Sequence, residues 1–215
     1  MITMDESFQA RLRRTALEVE QDPVGGLSFA TRKDLLRALG PLVADAEGRH
    51  TIVGPGLRRR ARLGITVARR VLPSWEASYA TEDPHRLLAL AEAYLAGSCS
   101  RDRLRSEASD FGGALNTSDT PQRQLAYLAA RSSVCAAYVA LSDELLEADE
   151  GISEEELDDP QDPDCWDCAY WAAAASSGGM SWESGFDVAR HRAFWIWYVA
   201  VAVPDAAIAD GPSPA

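Results

Sequence analysis

The chain has 215 residues, 47% of them apolar and 25% charged, with a net charge of −12; this is material for one well-buried core and not the composition of a disordered chain. The longest apolar run, 193–203, falls short of the roughly 18 to 20 residues that cross a bilayer, and the opening MITMDESFQARLRR has no apolar stretch to act as a secretory signal, so neither a membrane nor an export role is expected. The charge is unevenly placed: residues 1–131 hold 19 basic against 16 acidic side chains and residues 132–215 hold 2 against 17, a balance of +3 and −15 that repels nucleic acid and attracts a basic protein.

In chain order, a first helix is expected over 5–20, opened by Asp5 or Ser7, with Phe8, Leu12, Ala16 and Val19 on one face and Pro23, Gly25 and Gly26 stopping it. Ser28 or Thr31 can cap a second helix, since Thr31 and Asp34 have capping-box spacing; Leu35, Leu36, Leu39 and Leu42 line its inner side, with a bend at Gly40-Pro41. A loop over 47–56 leads into the clearest periodic stretch, Leu57 to Gly97. Leu57, Ala61, Ile65, Ala68 and Leu72 recur on one helical face while Arg58, Arg59, Arg62, Arg69 and Arg70 lie elsewhere. Pro73 lacks an amide hydrogen and crowds the carbonyl four residues back, so the helix is expected to kink or restart there and fix Trp75 and Glu76 at an angle. Arg62, Arg69 and Glu76 are spaced by seven, so a resumed helix puts them on one side, with Arg69 and Glu76 as candidates for a local ion pair and Trp75 for a packed corner.

Asp83-Pro84, Thr120-Pro121 and Asp162-Pro163 each place a capping oxygen before a proline suited to the first helical position. Their spacings, 37 and 42 residues, are compatible with a solenoid-like two-helix repeat, although the sequences between them align poorly. Ser100 caps a further helix expected to run to about Phe111, before Gly112-Gly113. Helices from Pro121, Pro163 and about Glu183 become nearly uncharged over 134–141, 169–176 and 193–203 and should form the core. The tail over 210–215, DGPSPA, should be frayed. No segment alternates as a strand between hairpin turns. The expected fold is therefore all-α, a single domain over 1–209 built as an array of roughly eight to ten helices.

Reactive groups are sparse. Cys165 and Cys168 form a Cys-x-x-Cys at a helix start, the pattern of a redox couple or half of a zinc site. Zinc needs two more ligands, Cys99 and Cys135 are solitary, and Asp162, Asp164 and Asp167 oppose thiolate formation. These thiols read as structural or incidental, and in a chain without a signal they suggest a reduced, cytoplasmic setting. DEGISEEELDD has the composition of an EF-hand loop, but with Gly151 at the sixth position the first, third and twelfth ligands would be Leu146, Ala148 and Leu157. Glu82 to His85 has the Glu-x-x-His spacing of a di-iron bundle, yet it straddles a helix start and has no second copy. His85 reads as a first-turn surface residue and His191 as a polar interruption beside the last apolar run. With no nucleophile elbow, metal motif or cofactor fingerprint, no catalytic residue, metal or cofactor is expected.

The arginine run followed by Val71, Leu72, Pro73, one residue, Trp75 and Glu76, then Asp83, Pro84 and an apolar helix ending at Gly97, resembles immunity protein family 5 of bacterial polymorphic toxin systems. The resemblance is close over about a fifth of the chain and loose elsewhere. It implies an all-helical protein that neutralises a cognate toxin encoded next to it. It carries over no catalytic residue, and toxin contacts usually differ between members, so it speaks to class rather than to a site.

From Asp143 to Asp167 there are 13 carboxylates and no basic residue. One reading is a solvated loop that aids solubility. Against it, Trp166, Tyr170, Trp171 and Trp182 lie within or just after the run, aromatic anchors beside charge, and the resemblance implies a protein partner. The expected interface uses Glu154, Glu155, Glu156, Asp158, Asp159 and Asp162 for steering and Trp166 for anchoring, against the basic cleft of a toxin domain that is expected to be a nuclease. Two rival readings are a helical scaffold for another basic partner and an enzyme or metalloprotein using Cys165, Cys168 and a histidine.

Overall fold

The structure, a computed structural model, describes residues 6–49, 51–116, 120–142, 146 and 166–208. Every extended regular element among them is helical: α1 (Glu6–Gln21), α2 (Phe29–Ala38), α3 (Pro55–Glu76), α4 (Asp83–Leu95), α5 (Arg101–Ala114), α6 (Pro121–Leu141), α7 (Cys168–Ser177), α8 (Val188–Trp197) and α9 (Val203–Ile208). A π-helical turn, Tyr198–Ala202, joins the last two just before Pro204, which has no amide hydrogen to give the ladder.

The array is centred rather than stacked. α3 and α6 form the main pair; α6 also packs on α4, α5 and α7, and α7 in turn packs on α3 and α8. A solenoid repeat would touch only its neighbours in the stack. Small side chains permit this crowding. The buried positions of α6 include Ala126, Ala129, Ala130, Ser132, Ser133, Ala136, Ala137 and Ala140, and α7 buries both faces of CAYWAAAASS. Where α3, α6 and α7 meet stands Gly64, at which a Cβ would lie 3.1 Å from Cys168 Sγ and 3.5 Å from Ala136. The Ser132 hydroxyl donates to the Cys168 carbonyl at 2.8 Å and so ties α6 to α7 with no polar atom left over.

The core divides into two main apolar groups. Leu35, Leu63, Val67, Trp171, Phe194, Trp195 and Tyr198 belong to one, and Ile65, Leu72, Leu88, Leu104, Val134 and Ala137 to the other. Opposite sides of α3 serve both, which is why its buried residues run through Leu57, Ala61, Leu63, Ile65, Val67, Ala68, Val71 and Leu72 rather than along one narrow stripe.

The arginines of α3 close the ends of its neighbours. Arg60, buried at 1% exposure, donates to the Leu36 carbonyl at 3.2 Å and the Gly40 carbonyl at 2.7 Å, and Arg59 donates to Leu39 O at 3.0 Å. These carbonyls lie at and just beyond the C-terminal end of α2, where acceptors run short of backbone donors; Leu36 O also takes the Leu39 amide at 3.2 Å. α2 accordingly ends at Ala38 instead of bending at Gly40-Pro41. Arg58 does the same for α4 by donating to Leu95 O.

Several sequence expectations change. α3 runs unbroken through Pro73 to Glu76, because the proline falls in its last turn and Ala77 N–H still reaches Pro73 O at 3.1 Å. Arg69 does not meet Glu76. It forms a two-pronged pair with Glu92 on α4, at 2.7 and 2.6 Å, because α4 packs alongside α3, while Glu76 takes His85 at 2.9 Å. Trp75 is buried, donates its indole N–H to Thr81 O at 2.9 Å and stacks on Tyr79 with centroids 4.4 Å apart. Arg62 is half-buried one heptad before Arg69.

Ser28 and Ser100 cap α2 and α5 with their side chains. α4 and α6 do start at Asp83-Pro84 and at Pro121, yet neither has a side-chain cap. The third of these starts, Asp162-Pro163, lies outside the described residues; α7 begins at Cys168 with Asp167 as its cap. α5 continues through Gly112-Gly113 to Ala114. α8 begins at Val188, not near Glu183, because Asp187 accepts from the Ala189 and Arg190 amides at 2.9 and 3.1 Å.

Candidate functional site

The described end of the acidic run meets the protein at the start of α7. Asp167 is its last carboxylate, and both of its oxygens are committed inside the fold: Oδ1 accepts from Tyr170 N at 2.7 Å as the helix cap, and Oδ2 receives Arg32 Nε at 2.8 Å. Both side chains are 3% exposed. Arg32 also donates to Leu27 O at 2.7 Å, and its guanidinium lies 5.2 Å from the Phe29 ring, 5.4 Å from Tyr170 and 5.5 Å from Trp195. Such a pair fixes geometry, and breaking it by removing one member costs roughly 3 to 5 kcal/mol.

Immediately before it, Trp166 heads a cluster of rings. It lies nearly parallel to Tyr170 (centroids 5.9 Å, 11°) and to Trp182 (6.1 Å, 29°) and meets Trp171 edge-on at 4.9 Å. Trp171 is buried, with Tyr127 edge-on at 6.1 Å and the Arg131 guanidinium 5.3 Å from its ring. Burial falls outward through half-buried Trp166 and Tyr170 to Trp182, which is 46% exposed. Offset and edge-on geometries of this kind are the favoured ones for aromatic pairs.

The Cys-x-x-Cys reading finds no support at its described end. Cys168 is buried, and burial, then the Asp167 charge, push its thiol well above the usual range. Burial likewise pushes Cys135 up to about 12, against the opposing pull of Arg131. A thiol held protonated is a poor nucleophile. Cys165 lies outside the described residues. Among the described residues, no three His, Cys, Asp or Glu side chains gather as a metal would need, and no helix is long and apolar enough to cross a membrane.

His191 is buried between α8 and the α1–α2 turn. Its Nδ1 pairs with Val24 O at 3.0 Å and its Nε2 accepts the Trp195 indole N–H at 3.0 Å, so the neutral ring is fully satisfied as the Nδ1–H tautomer. Burial lowers its pKa from 6.5, partly offset by Val24 O and Asp22 and reinforced by Arg32. A cleft of ≈ 420 Å³, its open mouth included, is lined mainly by Leu36, Leu63, Val67, Val139, Leu146 and Tyr198. The charged groups on its wall, Arg60 and Asp167, already hold the helix ends described above.

Of the residues expected at an interface, Trp166 stands in the ring cluster, while Glu154, Glu155, Glu156, Asp158, Asp159 and Asp162 lie outside the described residues. Arg32 was not foreseen as the partner of Asp167. The two are 135 positions apart, and an arginine in a polar stretch of α2 gives no local sign of burial.

The family model for Immunity protein Imm5 fits residues 12–205 of the chain. No curated protein matches the chain.

Proposed function

The chain belongs to the Imm5 immunity protein family, and from that premise we propose that it binds a cognate bacterial toxin domain in the cytoplasm and blocks it, the toxin being a basic nuclease of a polymorphic toxin system. The family match supports the immunity role; the observation that carries the finer reading is the −15 balance of residues 132–215, with 13 carboxylates between Asp143 and Asp167. A nuclease must hold phosphates and so presents a basic cleft. An inhibitor carrying clustered carboxylates occupies or covers that cleft and excludes the substrate.

In this mechanism Glu154, Glu155, Glu156, Asp158, Asp159 and Asp162 steer the encounter, raising association toward about 10⁸ to 10⁹ per molar per second at low salt. Trp166 anchors the complex, since slow dissociation comes from desolvated aromatic contacts and not from exposed charge. Asp167 takes no part in steering, because its carboxylate is held by Arg32 and the α7 cap. No catalytic step is assigned to this chain.

The test is association kinetics with the toxin domain encoded beside it. Replacing Glu154, Glu155 and Glu156 together by lysine is expected to slow association at least about tenfold at low salt, with the difference shrinking as salt rises. An unchanged rate at low salt would take the acidic segment out of the interface.

A further inference from the structure

Trp182 lies in the turn between α7 and α8, and the turn keeps its shape without it. Gly178 leaves α7 in the left-handed conformation (φ +91°) and passes so near Gly185 that a Cβ would stand 2.4 Å from the Gly185 carbonyl oxygen. The Asp187 amide donates to Ser177 O at 2.7 Å, and the Glu183 carboxylate accepts Met180 N–H at 2.7 Å. Met180 is buried beneath. The indole of Trp182 contributes to none of these bonds and remains 46% exposed, while Trp166 and behind it Tyr170 fix its orientation. An aromatic side chain held outward at so little further entropy cost is how interface hot spots are built.

Deeper in the cluster the same chemistry is already in use. Arg131 lies over Trp171, and Arg32 over Tyr170. The outermost ring of the series belongs to the half of the chain that carries −15, and of the carboxylates in its turn Glu183 faces the Met180 amide while Asp187 caps α8 and pairs with Arg190 at 3.4 Å. We infer that Trp182, backed by Trp166 and Tyr170, is the docking platform for a cationic side chain, arginine or lysine, of the toxin domain, with the cation lying over the indole face. The inference rests on the proposed immunity function and adds to it the contact residue and the chemistry of its occupant.

The experiment measures binding of the full chain to the C-terminal domain of the protein encoded next to it, for the parent and for Trp182→Ala, Trp182→Leu and Trp182→Phe, with thermal melts of each. The alanine and leucine variants are expected to bind about thirtyfold more weakly, chiefly through faster dissociation, while phenylalanine stays within about fivefold of the parent and all four proteins melt alike. An alanine variant that binds within about twofold of the parent would overturn the platform and leave the immunity function standing. Leucine binding as well as phenylalanine would overturn the cationic occupant, since leucine offers apolar area without a π face. A lowered melting temperature for the alanine variant would assign the indole to the fold instead. No complex with the parent chain would remove the immunity premise, and the inference with it.

Discussion

The arginine-rich helix α3 and the aromatic turn after α7 are the two most conspicuous features of the chain, and they use their side chains in opposite ways. α3 turns its charges inward or sideways: Arg59 and Arg60 take the carbonyl end of α2, Arg58 that of α4, Arg69 takes Glu92, and the Arg70 guanidinium sits 4.0 Å from the Trp197 ring. The turn leaves its largest side chain, Trp182, outward on a rigid frame. A density of charge in sequence is thus no measure of availability. What decides is whether unsatisfied carbonyls and carboxylates stand within reach, and helix ends supply α3 with several.

Three measurements sharpen this contrast. The largest effect is expected from Asp167→Asn, which keeps an oxygen for the α7 cap but takes the carboxylate charge away from Arg32 Nε; chemical denaturation should show a loss of about 3 to 5 kcal/mol. A variant as stable as the parent would mean that Arg32 is neutralised by something other than this pair. A smaller effect is expected from pH through His191. Because its folded-state pKa lies below the ordinary 6.5, the unfolded chain binds the proton first, so stability is full above about 6.5 and falls as pH drops from there to the folded-state pKa. In His191→Gln that part of the acid loss should disappear from the stability–pH curve; an unchanged slope would show that another group is responsible. The smallest belongs to Arg69 and Glu92, whose side chains are 48% and 47% exposed. A double-mutant cycle should give a coupling of about 0.2 to 1 kcal/mol that fades with salt, and a larger salt-resistant value would place this pair with the buried ones.

The helical fold was legible because its signals are local. Apolar spacing marks α1 through α4, serines mark the caps of α2 and α5, and the uncharged stretches 134–141, 169–176 and 193–203 point to the core, which 169–176 joins nearly whole while Tyr138 and Val201 in the other two stay exposed. Boundaries slipped where a local rule met a tertiary one. Pro73 was read as a breaker, but it falls where α3 is ending anyway, and Gly112-Gly113 stay helical, with Gly112 packed where a Cβ would touch Val134 at 3.3 Å. The Arg69 pairing was misjudged because the heptad row is real but the competing acceptor, Glu92, comes from another helix. At the candidate site, the sequence shows that Trp166, Tyr170, Trp171 and Trp182 are neighbours of charge. It does not show which ring ends outermost, because that depends on the left-handed exit at Gly178. The Arg32–Asp167 pair leaves no trace at all in sequence spacing.

The independence of the turn from its own tryptophan has an evolutionary consequence. Glycines and backbone hydrogen bonds set its path, and Met180, Ser177 and Asp187 hold it down, so none of these ties runs through the side chain at position 182. On the docking proposed for Trp182, a toxin that alters the side chain opposite this point can be followed by a single substitution here, and the lineage need not pass through an unstable intermediate. Specificity can drift at this one position while the scaffold stays constant.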